Sequence, residues 1–538
     1  MKRLISSSLY GCLAATLCLG SAAVQANPSQ FIAKQYTEGL GRAPDAGGWK
    51  FYQSVFEANG CNKTMLKEVS LSIFTSAEYA GLGYDNPEKV LTAYRAIFSR
   101  EPDAGGFNYW LNFLNNGNSV ASMIDFMYQG IDGGELTTAK ICGSLGYGWG
   151  SHLPLDNATI PAKNDNGAKT LAELQAAMQN AQPGSTVYLA QRAVIQVNSP
   201  IVVKAGVTLA TTGKPSRNQY AKQARLVRKS VYGSANDELA SAVVRIESGG
   251  RLDSVWVSGQ AQVLPYTPVA ANVAMHSGTN TTLANARLDN SIGWTSIIAH
   301  HYGTPCSSML VSNNLVAGYT SDHHYMNSTG YTDGISGNCE DVSIVGNHVI
   351  DASDIGIIVF APGGGRTQRS QVRNNVVISA GVPAFGALML HPEDVPRQGP
   401  STSFTGAALL DNQFWAAPDT HFDLGIVLGG ATWDANPSVG VGGTVTGNTN
   451  AGVATPMFIG MVIDGMRDVT VRDNVLSRLA PKQSFPDHPM TYPFGCNLRG
   501  ETMADLTPGR GHATQNGLEQ QVQHAAVHTC IGHYGPTR

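Results

Sequence analysis

A four-residue phrase that ends in asparagine returns six times in the second half of the chain and constrains the fold more than any other feature. Each copy has an apolar residue first and the asparagine fourth. Repetition at this scale predicts the stacked turns of a solenoid, with loops of unequal length between them. We expect each asparagine to lie at a turn, where it tolerates left-handed backbone and hydrogen-bonds its counterparts above and below. The asparagines are Asn314, Asn347, Asn375, Asn412, Asn448 and Asn474, spaced by 33, 28, 37, 36 and 26 residues.

A second series of apolar strands, each with a glycine near its start, alternates with the asparagine phrases. Apolar residues two apart, such as Val342 and Ile344, are predicted to point into the interior. A β-sandwich would instead need hairpin turns at short, regular spacing, and the sequence lacks them. The pattern therefore predicts a solenoid over about residues 160–480. The glycines of the second series are Gly334, Gly356, Gly386, Gly425 and Gly460.

The start of the solenoid is marked by an amphipathic stretch, Lys169 to Ala181, which runs through Pro183-Gly184 into apolar strands. Its apolar residues recur at helical spacing. This arrangement resembles the N-terminal cap of right-handed parallel β-helices such as those of polysaccharide lyases. The resemblance implies an all-β right-handed parallel β-helix solenoid over residues 169–482, preceded by a small all-α domain.

The segment before the solenoid contains an internal repeat at an offset of 58 residues. Gly41-Arg-Ala-Pro-Asp-Ala-Gly-Gly-Trp49 returns as Ser99-Arg-Glu-Pro-Asp-Ala-Gly-Gly-Phe107, within helically spaced apolar residues. Asp45 and Asp103 follow prolines and are predicted to cap the next helix, although they could instead bind a metal or a sugar. The repeat resembles a helical module of bacterial secreted and surface proteins, labelled domain of unknown function four-two-one-four. We expect targeting, self-association, cell-surface attachment or glycan attachment from this module.

The first residues predict export. Lys2 and Arg3 precede a short apolar run, and small residues lead to Ala26, as in a secretory signal peptide. A secreted or periplasmic protein is therefore expected, and no later apolar run is long enough for a membrane span. The formal net charge of −4 becomes −6 without Lys2 and Arg3, because the leader has no acidic residue, so nucleic acid is not an expected partner.

Six cysteines remain after the leader, and an even number outside the cytoplasm favours disulfides. Pairing neighbours along the chain gives 61–142, 306–339 and 496–530, which is one of 15 possible connectivities. The predicted domains are a signal peptide at 1–26, the duplicated helical module at 27–142, a linker rich in glycine, asparagine and proline at 143–168, the β-helix at 169–482, and a C-terminal cap or tail at 483–538.

Two aspartates stand near the starts of neighbouring predicted strands, Asp333 before Gly334 and Asp354 before Gly356. In strict register Asp333 would point into the core, so we expect its strand to be shifted by one residue, with both carboxyls facing solvent in one column. Stacked strands lie about 4.8 Å apart, near the separation of an acid/base or nucleophile pair. Either residue could instead serve only as a turn former.

The stretch from Tyr331 to Phe360 resembles the polygalacturonase type of β-helix glycosidase, whose Asn-Thr-Asp-Gly and Asp-Asp-Cys-Ile strands supply catalytic aspartates. This chain has Tyr-Thr-Asp-Gly and Ser-Asp-Ile-Gly instead, and no Gly-His-Gly follows. The resemblance implies catalytic roles for Asp333 and Asp354. Polar neighbours suit proton abstraction beside a uronate carboxylate, with charge neutralised by arginine or histidine. Among these neighbours, the further catalytic candidates are His324 and Tyr325. The substrate-binding candidates are Asp322, His323, His301, Arg366 and His391.

The sequence thus predicts a secreted, polysaccharide-active enzyme with a groove on the outside of the coil, acting by hydrolysis, β-elimination or epimerisation. Tyr331, Trp415 and Trp433 are candidates for stacking on sugar rings. No cofactor or metal ligand set is predicted, and a need for calcium cannot be read from the sequence. The rival hypothesis is a non-catalytic surface or adhesin-like protein, with the coil as a rigid stalk.

Overall fold

The computed structural model describes residues 28–476, 479–480, 503–505, 522–523 and 527–529, apart from 135, 144–146, 235, 277, 301–304, 319–330, 363–365, 393–401, 430–439 and 465. Helices precede the solenoid, as predicted. None of the helices in these residues is long and apolar enough to cross a membrane. They are α1 (Ser29–Lys34), continued by a π-helical turn at Gln35–Gly39, α2 (Ala46–Asn59), α3 (Lys63–Phe74), α4 (Ala77–Gly81), α5 (Asn86–Phe98), α6 (Ala104–Asn115), α7 (Val120–Gln129), α8 (Thr138–Cys142), α9 (Leu171–Asn180) and α10 (Glu238–Ser241), with a 3-10 helix at Arg217–Lys222.

Three long parallel sheets form the coil, because each turn of the chain contributes one strand to each sheet. This is the predicted right-handed parallel β-helix. Sheet 1 holds Thr186–Leu189, Thr208–Thr211, Arg251–Asp253, Thr282–Ala284, Met309–Ser312, Val342–Val345, Gln371–Arg373, Ala408–Leu410, Thr444–Thr446 and Thr470–Arg472. Sheet 2 holds Val194–Val197, Ala224–Arg228, Val255–Ser258, Arg287–Asp289, Leu315–Ala317, His348–Ile350, Val376–Ser379 and Gln413–Ala416.

Sheet 3 carries the predicted catalytic aspartates. Its strands are Ile201–Val203, Val244–Ile246, Val273–Met275, Thr295–Ala299, Asp333–Gly337, Ile355–Phe360, Ala384–His391, Phe422–Gly429, Thr455–Asp464, Met503–Asp505 and Val527–Thr529, with Leu479–Ala480 paired beside Thr455–Asp464. Two shorter sheets have two strands each: Gly278–Thr279 pairs with Cys306–Ser307, and Asn474–Val475 pairs with Val522–Gln523. A further sheet has three strands in the order Thr402–Ser403, Gly440–Val441 and Met466–Arg467.

The asparagine ladder is confirmed, and it lies inside the coil. All six asparagines are fully buried, and each side-chain amide from Asn314 to Asn448 donates to the side-chain oxygen of the next asparagine at 2.9–3.0 Å. The predicted position of the left-handed backbone was wrong by one residue. Positive φ occurs at the preceding residue of each phrase, for example Asn374 at 55° and Asp411 at 52°. That residue turns the chain, and the asparagine then closes the turn by hydrogen bonds.

The two helical copies pack against each other through equivalent residues. Lys67 and Asp125 are 58 residues apart, the offset of the repeat, and form an ion pair at 2.7 Å. Ser70 and Tyr128 are also 58 residues apart, and their hydroxyls are 2.8 Å apart. The duplication has therefore produced an internal dimer-like pair.

Both predicted helix caps are confirmed. The Asp45 carboxylate accepts from the backbone N–H of Gly48, and that of Asp103 accepts from Gly106, each at 2.8 Å. Two of the three predicted disulfides, Cys61–Cys142 and Cys306–Cys339, are also present. The third predicted pair, Cys496 with Cys530, and most of the predicted cap at 483–538 lie outside the described residues.

The helical module packs directly onto the outer face of sheet 2. One apolar core combines residues of the module with strand residues of the coil, including Trp256, Ile350, Ile378 and Trp415. The backbone N–H of Ala43 also donates to His348 Nδ1 at 2.8 Å. Trp415, a candidate for sugar stacking, is fully buried here and faces Trp49, so that prediction was wrong.

Candidate functional site

Asp333 lies in strict register with the neighbouring strand, without the one-residue shift predicted from the sequence. Ile335 pairs with Ile357, so Asp333 stands level with Ile355, and Thr332 stands level with Asp354. The predicted one-residue shift was therefore wrong. The carboxyl of Asp333 is tolerated because hydrogen bonds replace solvent, although the residue is only 3 % exposed. Next to it, Gly334 approaches the coil interior so closely that a Cβ there would meet Val349 Cγ1 at 2.5 Å.

Both oxygens of the Asp333 carboxyl have described partners. Oδ1 accepts from the backbone N–H of Ile355 on the next strand at 2.9 Å, and Oδ2 lies 2.8 Å from Ser336 Oγ. Ser336 Oγ also lies 3.0 Å from Thr295 Oγ1, which lies 2.9 Å from the carbonyl oxygen of Ile297. In these contacts Ser336 Oγ donates to Asp333 Oδ2, and Thr295 Oγ1 donates to the carbonyl oxygen of Ile297.

Electrostatics favour the protonated form of Asp333. Burial and the nearby negative charge of Asp354 raise the pKa of Asp333 well above its ordinary value. Burial also raises the pKa of Asp354, from 3.8 to about 6. Two neighbouring carboxyls with raised pKa values favour retaining one proton between them. Asp333 is the more deeply buried of the two and retains that proton, which leaves Asp354 as the group that titrates.

A column of side-chain positions runs across the strand starts of sheet 3 and contains Asp354. Gly386 pairs with Ile355 and with Leu424, so Phe385 stands level with both Asp354 and Asp423. Ala384 precedes Gly386 by two residues, as Asp354 precedes Gly356, but it is Phe385 that lies in this column. Asp354 and Asp423 are therefore two strands apart, which at about 4.8 Å per strand separates their backbones by roughly 10 Å.

Two tyrosines adjoin these carboxyls. Tyr266 donates its hydroxyl to the carbonyl oxygen of Tyr331 at 3.3 Å. Burial, then the charges of Asp354 and Asp333, raise the pKa of Tyr266 to about 12. Burial, then Asp354 and Asp423, raise the pKa of Tyr331, whose ring is 43 % exposed. Tyr331 is thus a solvent-facing ring beside two carboxyls, which suits the predicted sugar contact.

Sequence reasoning missed His421 and did not single out Asp423. Both are buried, and His421 Nε2 lies 3.6 Å from Asp423 Oδ1. The signal for Asp423 was its position two residues before Gly425, as Asp354 stands two residues before Gly356. We call Tyr266, Tyr331, Asp333, Asp354, His421 and Asp423 the strand-start cluster. Among the described residues, no group of three or more His, Cys, Asp or Glu could hold a metal ion.

His391 and Arg366 lie away from this cluster. His391 pairs with Phe360 at the ends of the strands, six residues beyond the level of Asp354, which corresponds to roughly 20 Å along the sheet. Arg366 follows the strand end, where it lies 3.9 Å from Glu340 and donates to the carbonyl oxygen of Pro362. The structure therefore does not place these two residues at the carboxyl pair. Asp322, His323, His324, Tyr325, His301 and Trp433 lie outside the described residues.

A search of protein-family models found none that matches this chain, and no curated protein matched it. Solved structures do match. The A-module of a mannuronan C-5 epimerase from Azotobacter vinelandii is 15 % identical, with a TM-score of 0.30, and the match covers 60 % of this chain and 93 % of that one. PfbA, a surface adhesin of Streptococcus pneumoniae, is 11 % identical with a TM-score of 0.28, and the match covers 57 % of this chain and 80 % of that one. An endo-xylogalacturonan hydrolase from Aspergillus tubingensis is 11 % identical with a TM-score of 0.32, and the match covers 70 % of this chain and 98 % of that one. Likenesses at this level carry no argument about activity.

The described strands and helices define the class of protein. It is a parallel β-helix with a small helical domain docked on one of its sheets.

Proposed function

We propose that the protein is a secreted polysaccharide-active enzyme that cleaves glycosidic bonds at the strand starts of sheet 3. The observation that carries this proposal is the pair Asp333 and Asp354, two neighbouring carboxyls whose pKa values are both raised. A carboxyl that titrates near pH 6 can accept or donate a proton under mild conditions. An aspartate that only forms a turn does not need a neighbouring carboxyl with a raised pKa.

The two aspartates have different roles in this proposal. Asp354 is only partly buried, and we assign it the proton transfer to or from the sugar. Asp333 is too deeply buried to reach a polymer, and it acts as a positioning residue that stays protonated beside Asp354. Tyr331 offers an exposed ring against which a sugar can pack. His324 and Tyr325 remain candidates for the second proton-transfer group, with Asp322, His323 and His301 as candidates for substrate binding.

The second candidate function is a non-catalytic surface or adhesin-like protein. The complete hydrogen bonding of Asp333 favours it, because a purely structural aspartate would also be buried and satisfied. Under this alternative, the raised pKa values would follow from burial alone and no substrate would be cut.

The test is digestion of a panel of neutral and uronic-acid polysaccharides, followed in parallel by reducing ends and by absorbance of unsaturated uronate. Asp354→Asn should reduce turnover by roughly 10²–10⁴-fold, the usual contribution of general acid/base catalysis. Asp473→Asn is the matched control, because it makes the same change at a side chain that is 70 % exposed on the coil. Unsaturated product would identify a lyase, and reducing ends without it a hydrolase. Polymer binding without cleavage across the panel would favour the adhesin, and full activity in Asp354→Asn would refute the site.

A further inference from the structure

The second helical copy carries a row of four aromatic rings on helices α6 and α7. Successive ring centroids are 4.9 Å apart from Tyr109 to Trp110, 5.7 Å from Trp110 to Phe113, and 5.6 Å from Phe113 to Phe126. Tyr109 is 63 % and Phe126 48 % exposed, so the row lies at the surface. Each neighbouring pair meets edge to face, which fixes the orientation of the rings. We call these four residues the aromatic row.

On α6 the surroundings of the aromatic row are polar but uncharged, whereas on α7 the residue before Phe126 is Asp125, which is paired with Lys67. Residues 104–124 contain no Asp, Glu, Lys, Arg or His. Asn108 and Asn112 lie one helical turn apart on α6 and are exposed, and no side chain in the described part of the protein hydrogen-bonds to either amide. Both amides therefore have free donors and acceptors beside the rings.

The first helical copy provides an internal comparison, because it has the same fold at an offset of 58 residues. The counterparts of Asn108, Phe113 and Phe126 are Lys50, Val55 and Glu68. Lys50 donates to the carbonyl oxygen of Ala451 on the coil at 3.1 Å. The helical fold therefore does not require aromatic rings and amides at these positions. They are particular to the second copy.

We propose that the aromatic row and its flanking asparagines form a binding site for a neutral polysaccharide. Sugar rings present apolar C–H faces that pack on aromatic rings, and their hydroxyls pair with amide groups. Residues 104–124 offer no cation, and Lys67 is already paired with Asp125 beside Phe126, which disfavours uronate polymers and anionic membranes because these need positive charge nearby. The site is separate from the strand-start cluster, and it does not depend on that cluster being catalytic.

The test uses the full mature chain carrying Asp354→Asn, so that no polymer is cut, and measures retardation in native gels that contain galactomannan or polygalacturonate. Galactomannan should retard the protein. Tyr109→Ala and Phe126→Glu should each weaken its retention about tenfold or more, since exposed aromatic anchors dominate such contacts. Phe126→Glu introduces the residue that the first copy has at that position. Phe51→Ala is the matched control, because Phe51 is the counterpart of Tyr109 and is 59 % exposed.

Unchanged thermal unfolding of the variants would show that any loss concerns binding and not folding. The proposal is overturned by retention on polygalacturonate alone, by no retention on either polymer, or by an equal loss in Phe51→Ala. Two other occupants are checked with the same variants. One is a membrane, detected as binding to phosphatidylcholine vesicles, and the other is a second copy, detected as a dimer in analytical ultracentrifugation. Either result would also overturn the proposal if it disappears in Phe126→Glu and the protein does not bind galactomannan.

Discussion

The guanidinium of Arg287, on a strand of sheet 2, lies 2.6 Å from the carboxylate of Glu38 in the first helical copy. Both side chains are fully buried. They belong to a network that also contains Arg95, Glu101, Arg225 and Asp289, with three positive and three negative groups drawn from the module and the coil. The face of Trp256 lies against Arg225 and Arg95. The two domains are therefore joined by ion pairs that neither could satisfy alone.

Removing one member of this network should be costly. Burial opposes ionisation of Glu38, but Arg287 and Arg95 outweigh it and hold its pKa at about 2. Glu38→Ala leaves two buried guanidinium groups undercompensated and should lower the free energy of unfolding by about 3–5 kcal/mol. Urea denaturation measures this change. The control is Glu78→Ala, which breaks a half-exposed pair with Arg42 and should cost less than about 1 kcal/mol. Equal effects would mean that the network does not stabilise the protein.

The coil should not be soluble without its helical module. Removing residues 27–142 exposes Trp256, Trp415, Ile350 and Ile378, which are buried against the module. Buried Arg225, Arg287 and Asp289 would also lose partners. We expect aggregation during expression, because such a large apolar surface is not stable in water. A soluble, monomeric coil in size-exclusion chromatography would contradict the packing described for sheet 2.

The contribution of Asp354 to protein stability should fall as the pH rises from 4 to 7. Burial raises the folded-state pKa of Asp354 to about 6, so the folded protein binds this proton more tightly than the unfolded chain does. The stabilisation is complete below the unfolded pKa and is lost as the pH rises through 6. Asp354→Asn should remove roughly 2 kcal/mol of this dependence. Chemical denaturation at several pH values tests it, and an unchanged pH profile in the variant would contradict the assignment.

Asp333→Asn tests the proton position directly. An asparagine can keep both hydrogen bonds, with its oxygen accepting from Ile355 N–H and its amide donating to Ser336 Oγ. If Asp333 is protonated, this variant should match or exceed the wild-type stability at pH 7, whereas Asp333→Leu should lose about 2 kcal/mol or more through unsatisfied partners. Thermal unfolding distinguishes them. A strongly destabilised Asp333→Asn protein would indicate an ionised carboxylate instead.

The asparagine ladder should be sensitive to the loss of a single donor. The amide of Asn375 donates to the carbonyl oxygen of Ile344 and to the side-chain oxygen of Asn412, each at 2.9 Å. Asn375→Asp removes these donors and buries a carboxylate, so we expect a loss of at least about 3 kcal/mol. Its neighbour Asn374 is exposed, with a left-handed φ that Asp also tolerates, and Asn374→Asp should change stability by less than about 0.5 kcal/mol. Similar losses in thermal melts would refute the ladder's structural role.

The sequence was sufficient wherever a local pattern repeats. The phrase ending at Asn375 predicted the coil, because each turn must bury the same side chain in the same place. The Pro-Asp pairs predicted the caps at Asp45 and Asp103, because a helix start has free N–H groups that only nearby residues can satisfy. These features depend on interactions within a turn of helix or between identical turns of a coil.

Only the tertiary structure decided where the helical module lies and what surrounds Asp333. Arg287 and Trp415 stand at outward-facing strand positions, which a sequence reader assigns to solvent, and the module that buries them is hundreds of residues away in the chain. Asp333 follows its register toward the interior because Ser336 and the N–H of Ile355 satisfy its carboxyl. A sequence pattern gives the periodicity of side chains. Whether a polar group can be buried depends on partners that only the folded chain brings within hydrogen-bonding distance.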